Sequence, residues 1–168
     1  MKILSVAVPC YNSQEYMRKC VDSLLKGGED VEILIVDDGS KDDTLKIARD
    51  YEEKYPTIVK AIHQENKGHG GAVNTGLAHA TGLYFKVVDS DDWLNEEALK
   101  KALEVLKLCV RVPKTLDLLL CNYVYEKVGA KRKTVMRYRS ALPQDKIFGW
   151  DDVKPLGTSH YLLMHSMI

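Results

Sequence analysis

Hydrophobic and polar positions alternate along the chain in blocks of two periods. Short β-branched runs predict strands at residues 3–8, 31–36, 58–62 and 83–88, with Pro9 ending the first. Between them, residues 13–26 place Tyr16, Met17, Cys20, Val21, Leu24 and Leu25 on one helical face, and Gly27-Gly28 ends the pattern. A second helix is predicted over residues 41–55, behind a capping box at Ser40-Lys41-Asp42-Asp43 and stopping before Pro56. Residues 72–80 form a short helix ended by Gly82. Residues 95–108 form a longer one, with Asn95 as N-cap and Ala98, Leu99, Ala102, Leu103 and Leu106 facing inward.

Strands alternating with helices, each strand almost wholly apolar, predict the α/β class: a mostly parallel, Rossmann-like sheet with helices on both faces. Beyond Pro113 the pattern changes. Residues 116–125 predict a strand, a turn near Gly129-Ala130 leads to another at 134–138, and residues 140–158 are too broken by Pro and Gly to assign. Residues 1–108 therefore read as one part and 109–168 as the start of a second, incomplete one.

Composition narrows the function classes. A chain of 168 residues with 45% hydrophobic content is domain-sized and has ample material for a core. Lys plus Arg and Asp plus Glu balance at 24 each, so no net field draws in nucleic acid or an anionic membrane, although residues 127–139 are locally basic. Cys10, Cys20, Cys109 and Cys121 lack CxxC spacing and read as small apolar residues in a reducing compartment. The opening apolar run is too short for a signal peptide or a membrane span, so a cytoplasmic location is expected. His63, His79, His160 and His165 have no metal-ligand spacing and read as structural; His69 sits in a glycine-rich segment and is the exception.

Three loops leave predicted strand ends with side chains that connection alone does not require. Pro9-Cys10-Tyr11-Asn12 brings a hydroxylated aromatic and an amide to the mouth of the sheet, and Asp37-Asp38-Gly39-Ser40 brings two carboxylates. Asp89-Ser90-Asp91-Asp92 closes the run that starts at Tyr84 with three carboxylates in four residues. Open α/β sheets bind ligands at this edge. Carboxylates so crowded favour a neutralising cation, and oxygen ligands suit Mg²⁺ or Mn²⁺. Each loop also has a plain structural reading: Tyr11 as a packed aromatic, Asp38 as a turn former, Ser40 or the acidic triplet as a helix cap. Their coincidence on one edge favours a site.

Between these loops runs Glu65-Asn66-Lys67-Gly68-His69-Gly70-Gly71-Ala72-Val73-Asn74-Thr75-Gly76, leading into a helix that begins near Gly70 or Gly71. Bare backbone amides and a positive helix end suit phosphate; a flexible linker is the plain alternative. Together the loops offer an aromatic for a base, a carboxylate for a ring N–H or ribose hydroxyl, donors for phosphate and ligands for a metal. That combination fits a nucleoside diphosphate conjugate.

In these four ordered motifs, over about residues 1–108, the chain resembles the family 2 glycosyltransferases of GT-A fold. The resemblance implies a metal-dependent, inverting transfer of sugar from a nucleotide-diphospho-sugar, with a UDP-sugar foremost, to the hydroxyl of a glycan or lipid acceptor. It places Tyr11 against the base beside Pro9 and Asn12, and Asp38 as an acceptor from the base. Lys67, Gly68, His69 and Asn74 belong to its nucleotide-binding segment, and Asp89-Ser90-Asp91 is its metal motif. There Asp91 is the direct ligand for Mn²⁺ or Mg²⁺, and Asp89 lies nearer the ribose and the metal's waters; Asp92 is a cap or outer residue. Many relatives carry Arg where this chain has Val73, so Lys67 or His69 is the expected substitute.

Inversion requires a carboxylate base opposite the departing diphosphate. In the family that base follows the segment where this chain stops, and Asp151 and Asp152 are the late acidic candidates within it. A non-catalytic nucleotide-sugar-binding fragment, prone to self-association through uncovered apolar surface, is the alternative. A sugar nucleotidyltransferase would need a basic, glycine-rich loop after the first strand, where Pro9-Cys10-Tyr11-Asn12 stands. A dinucleotide oxidoreductase would carry its glycine fingerprint at that same turn.

Overall fold

The first apolar run forms β1 (Leu4–Cys10), with all of its residues buried. It lies between β2 (Val31–Asp38) and β4 (Tyr84–Val87), and β3 (Val59–Gln64) pairs with the far side of β2. All pairings are parallel and the order is β3-β2-β1-β4, the expected parallel sheet. The computed structural model describes residues 1–111, 116–126, 133–154 and 166–168, which divide into units Met1–Thr115 and Leu116–Ile168.

Pro9 does not stop β1 as expected; it is paired within the strand opposite Val36. The reason lies in strand parity. Val88 N donates to Ala7 O at 3.0 Å, so Ala7 aims its backbone groups at β4, and Ala7↔Val87 is the last pair of that ladder. Pro9, two residues on, aims its missing N–H past the end of the ladder, where its absence costs no bond. β2 likewise outruns its apolar stretch, so Asp37 and Asp38 are strand residues in register with His63 and Gln64. Successive strand side chains take opposite faces, which sends the two carboxylates to different sides of the sheet.

Helices cover both faces. α1 (Met17–Leu24) buries Met17, Cys20, Val21 and Leu24, then tightens into a 3₁₀ turn that reverses at Gly28, φ +59°. Gly27 lies against Val31 of β2 and Leu103 of α4 (Glu96–Arg111), so α1 and α4 share one face. On the opposite face α3 (Gly68–His79) packs through Gly76, where a Cβ would come 2.5 Å from Ala7 Cβ. α3 begins earlier than expected: the glycine-rich run is its first turn, because close packing on β1 and β2 outweighs roughly 1 kcal/mol of lost helix propensity per glycine.

α2 (Thr44–Lys54) starts later than predicted, and Ser40 does not cap it. Asp42 Oδ1 accepts from Thr44 N at 3.0 Å instead, while Ser40 Oγ accepts from Asn12 N. Asn95 caps α4 as expected, its Oδ1 accepting from Ala98 N at 3.0 Å.

In the second unit the strand expected over residues 116–125 narrows to β5 (Tyr123–Tyr125), antiparallel to β6 (Thr134–Met136), plus one bridge between Leu120 and Met167. β6 offers only three residues to pair with. Tyr138, Ala141, Leu142 and Ile168 are buried, and Tyr138 Oη donates to Ser166 Oγ at 3.2 Å. The turn expected at Gly129-Ala130 lies outside the described residues, as do His160 and His165.

Candidate nucleotide-binding site

β1 is followed along the sheet by β2 and then β3, whereas β4 returns to the other side of β1. The winding thus reverses between β1 and β4, and such a reversal opens a crevice beyond the strands' carboxyl ends. A cavity of about 380 Å³ lies at this edge, lined by Pro9, Cys10, Tyr11, Asp38, Asn66, Gly68, His69 and Ala72. Its size is within the range of about 300–1,000 Å³ usual for small-ligand sites.

Five hydrogen bonds stitch the loop after β1 to the loop after β2. Asn12, at φ +52°, donates N–H to Ser40 Oγ at 3.0 Å and accepts at Oδ1 from Lys41 N at 2.9 Å. Ser13 N donates to Thr44 Oγ1 at 2.7 Å, Gln14 N to Asp42 Oδ2 at 3.2 Å, and Asp43 N to Gln14 Oε1 at 3.0 Å. The side chain of Asn12 is therefore engaged in the stitching and does not line the cavity. Tyr11, between the stitched loop and the cavity, stays 48% exposed, an open aromatic face on a fixed backbone.

Asp38 is almost fully buried on the α3 side. Its Oδ1 accepts from Gln64 Nε2 at 2.6 Å and from Lys67 N at 2.8 Å. Turning the Gln64 amide around would set its oxygen against a carboxylate that only accepts, and in the orientation present Thr75 Oγ1 donates to Oε1 at 2.5 Å. A chain from α3 through β3 thus locks the carboxylate plane at the cavity wall. Gly39, at φ +73°, lets the next loop pass closely: a Cβ there would sit 3.0 Å from Asn66 N. On the other face Asp37, fully buried, meets His63 Nδ1 at 2.7 Å and accepts from Ser40 N at 3.3 Å.

The acidic loop adjoins this frame through two contacts. Ser90 is buried with its Oγ 2.9 Å from Ser13 Oγ, and Tyr11 N donates to Ser13 Oγ at 3.2 Å. His69, in the first turn of α3, places Nε2 at 2.8 Å from Asp89 Oδ1. Asp91 and Asp92 are exposed, and Asp92 N donates to Asp89 O at 2.9 Å. Lys19 Nζ sits 2.9 Å over the Trp93 ring, pinning the loop's far end to α1.

Among the described residues no three His, Cys, Asp or Glu side chains form a ready metal cluster. Mg²⁺ and Mn²⁺ held with a diphosphate need only one or two protein carboxylates, and the exposed Asp91 with the second oxygen of Asp89 fits that donor set. The amides of the first turn of α3 have no partner within the helix, and their positive end favours phosphate. Gly68 N is the exception, donating to Asn66 Oδ1 at 3.2 Å. Burial pushes the Cys10 thiol up to about 12, so it stays protonated and is no nucleophile.

Not every nucleotide-binding residue picked from the sequence lines the cavity. Lys67 contributes its amide to Asp38 while its side chain stays outside the lining, and Asn74 is exposed further along α3. Asp151 and Asp152 form a 3₁₀ turn (Trp150–Asp152) in the second unit, where Asp152 Oδ2 accepts from Gly149 N at 3.1 Å. Sequence reasoning passed over Gln64 and Thr75, which orient Asp38, and nothing in the strand or helix pattern distinguishes them. No helix among the described residues is long and apolar enough to cross a membrane.

The family model described as glycosyl transferase family 2 matches residues 5–110. A putative glycosyltransferase EpsH of Bacillus subtilis is 37% identical over 124 residues, 73% of this chain and 34% of its own length. Chondroitin synthase of Escherichia coli is 40% identical over 103 residues, 61% of this chain and 15% of its own. Among solved structures, Staphylococcus aureus TarS 1-349 in complex with UDP superposes with TM-score 0.61 at 35% identity, covering 72% of this chain and 35% of that one. A Pyrobaculum calidifontis mannosyltransferase in complex with GDP-Man and Mn²⁺ gives TM-score 0.57 at 28% identity, covering 70% and 34%. The chain spans about a third or less of the length of these proteins. With a GT-A-like parallel sheet and the family's motifs gathered at one edge, it belongs to the family 2 glycosyltransferases.

Proposed function

We propose that the chain is the donor-binding part of an inverting transferase that moves a sugar from a nucleoside diphosphate, a UDP-sugar first, to an acceptor hydroxyl in cell-envelope or polysaccharide glycan synthesis. One observation carries the reading: the locked carboxylate of Asp38 beside the open ring of Tyr11 in a cavity of about 380 Å³. The ring offers a stacking surface for a base. Asp38, an acceptor only, selects a base edge that presents N–H. UDP, UDP-GlcNAc and GDP-Man in the neighbouring structures support a nucleotide-sugar donor.

The first turn of α3 would receive the diphosphate, and Asp89 the ribose side of the donor. Asp91, with one oxygen of Asp89, would hold a divalent ion, which when bound neutralises charge on the diphosphate leaving group. Buried Cys10 and Pro9 keep the cavity floor apolar and exclude water from beneath the base. The base that deprotonates the acceptor is assigned to the acceptor-binding part, with Asp151 and Asp152 the candidates inside this chain. A cytoplasmic setting, at the inner face of the membrane, fits a donor of this class.

Calorimetry tests the reading: UDP binds with Mn²⁺ and much more weakly in EDTA. Equal binding in both defeats the metal assignment, and no binding in either defeats the donor assignment. The second reading is a donor-binding unit without transfer activity of its own. Released UDP, measured with a panel of UDP-sugars with and without simple acceptors, separates the two. Acceptor-stimulated release would place a base within residues 1–168.

A further inference from the structure

His69 is the residue of the first turn of α3 whose side chain reaches both the cavity and the acidic loop. Its neighbours Gly68 and Gly70 bring no side chain, and a Cβ on either would meet nothing within 4 Å. The imidazole is half exposed, at 53%, with Nε2 at 2.8 Å from Asp89 Oδ1. An ionised carboxylate only accepts, so the hydrogen of this bond belongs to Nε2 and Oδ1 is the oxygen it occupies. Among the described residues no other group hydrogen-bonds that carboxylate. Asp89 lies beyond the end of β4, outside the ladder, so its backbone alone does not fix where its side chain points.

We propose that His69 is a positioning residue for Asp89: it holds Oδ1 and leaves Oδ2 as the single oxygen presented to the donor and its ion. This rests on the nucleotide-sugar reading above and adds to it a residue that sets how the acidic motif is used. Groups that orient a metal-ligating side chain typically change metal affinity about 10–100-fold when removed. The same scale applies here.

The test measures UDP binding by the 168-residue chain, with Mn²⁺ and with EDTA, for wild type, H69A, H69Q, H69N, D89A and H69A/D89A. H69A is expected to lose Mn²⁺-dependent UDP affinity about tenfold while UDP binding in EDTA, which does not call on the ion, changes far less. Gln can bring an N–H to the position of Nε2 and should restore most of the loss; Asn is too short and should resemble Ala. In the D89A background, H69A should cost nothing further. Wild-type affinity in H69A, equal losses in H69Q and H69A, or additive losses in the double variant each overturn the positioning role. Absence of Mn²⁺-dependent UDP binding in the wild type instead overturns the donor reading, and the proposal with it. His69 is exposed, and an unchanged unfolding midpoint confirms that each variant is compared in its folded state.

Discussion

Ser13 and Ser90, 77 positions apart in sequence, hold their hydroxyls 2.9 Å from each other in a buried contact. That bond joins the Tyr11 loop to the acidic loop. Ser90→Ala leaves the Ser13 hydroxyl with one partner fewer. A loss of about 1 kcal/mol in unfolding free energy is expected, measured by urea denaturation. A larger fractional loss in Mn²⁺-dependent UDP affinity should accompany it. Unchanged stability would show that the contact does not couple the loops.

Asp38→Asn keeps an oxygen for Gln64 and Lys67 N but replaces the second oxygen by an N–H₂ donor. A base edge presenting N–H then meets a donor instead of an acceptor. UDP affinity should fall roughly tenfold or more, while the unfolding midpoint moves little. Calorimetry beside a thermal melt checks both, and unaltered affinity would remove Asp38 from base recognition.

For the metal, Asp91→Asn should abolish the difference between UDP binding in Mn²⁺ and in EDTA, whereas Asp92→Asn should retain most of it. A direct ligand supplies a full charge to the ion, and an amide does not replace it. Equal losses in the two variants would move the ligand assignment to another carboxylate.

Gly76→Ala puts a methyl 2.5 Å from Ala7 Cβ, between α3 and β1. Overpacking of this kind costs about 1–3 kcal/mol, and here it also displaces the helix that carries Thr75 and His69. Thermal unfolding should show the loss, and UDP affinity should drop with it. Gly39→Ala strains a residue at φ +73° and presses on Asn66 N, so it should weaken UDP binding by disturbing the Lys67 amide at Asp38.

The sheet was legible because β1 and β2 are short, apolar and almost wholly buried, and β3 and β4 repeat short strand-like runs at lower burial, a pattern with one architectural solution when helices alternate with them. Asp38, Tyr11 and the acidic loop were legible as polar endings on apolar strands. What the pattern hid was division of labour among polar residues. Asn12, Ser40 and Asp42 look as functional in sequence as Asp38, yet in the fold they bond one another across two loops. Short polar side chains serve either purpose, and only tertiary contacts decide. Pro9 misled for a similar reason: a missing N–H matters only on the side where a neighbour would have accepted it. In the second unit the weak alternation of residues 116–125 overstated the strand, since strand length is set by the partner available.

The return of β4 to the far side of β1 also dictates when the site comes into being during synthesis. β1, β2 and β3 are neighbours in both chain and space, so they can pair as they emerge from the ribosome. β4 must close a loop of some 80 residues back to β1, which is entropically the slowest of the three pairings. Until it does, Ser13 has no Ser90 and His69 no Asp89. A nascent chain that has not yet released residue 90 holds the cavity's wall but not its acidic rim, and donor binding should begin only once that last strand has docked.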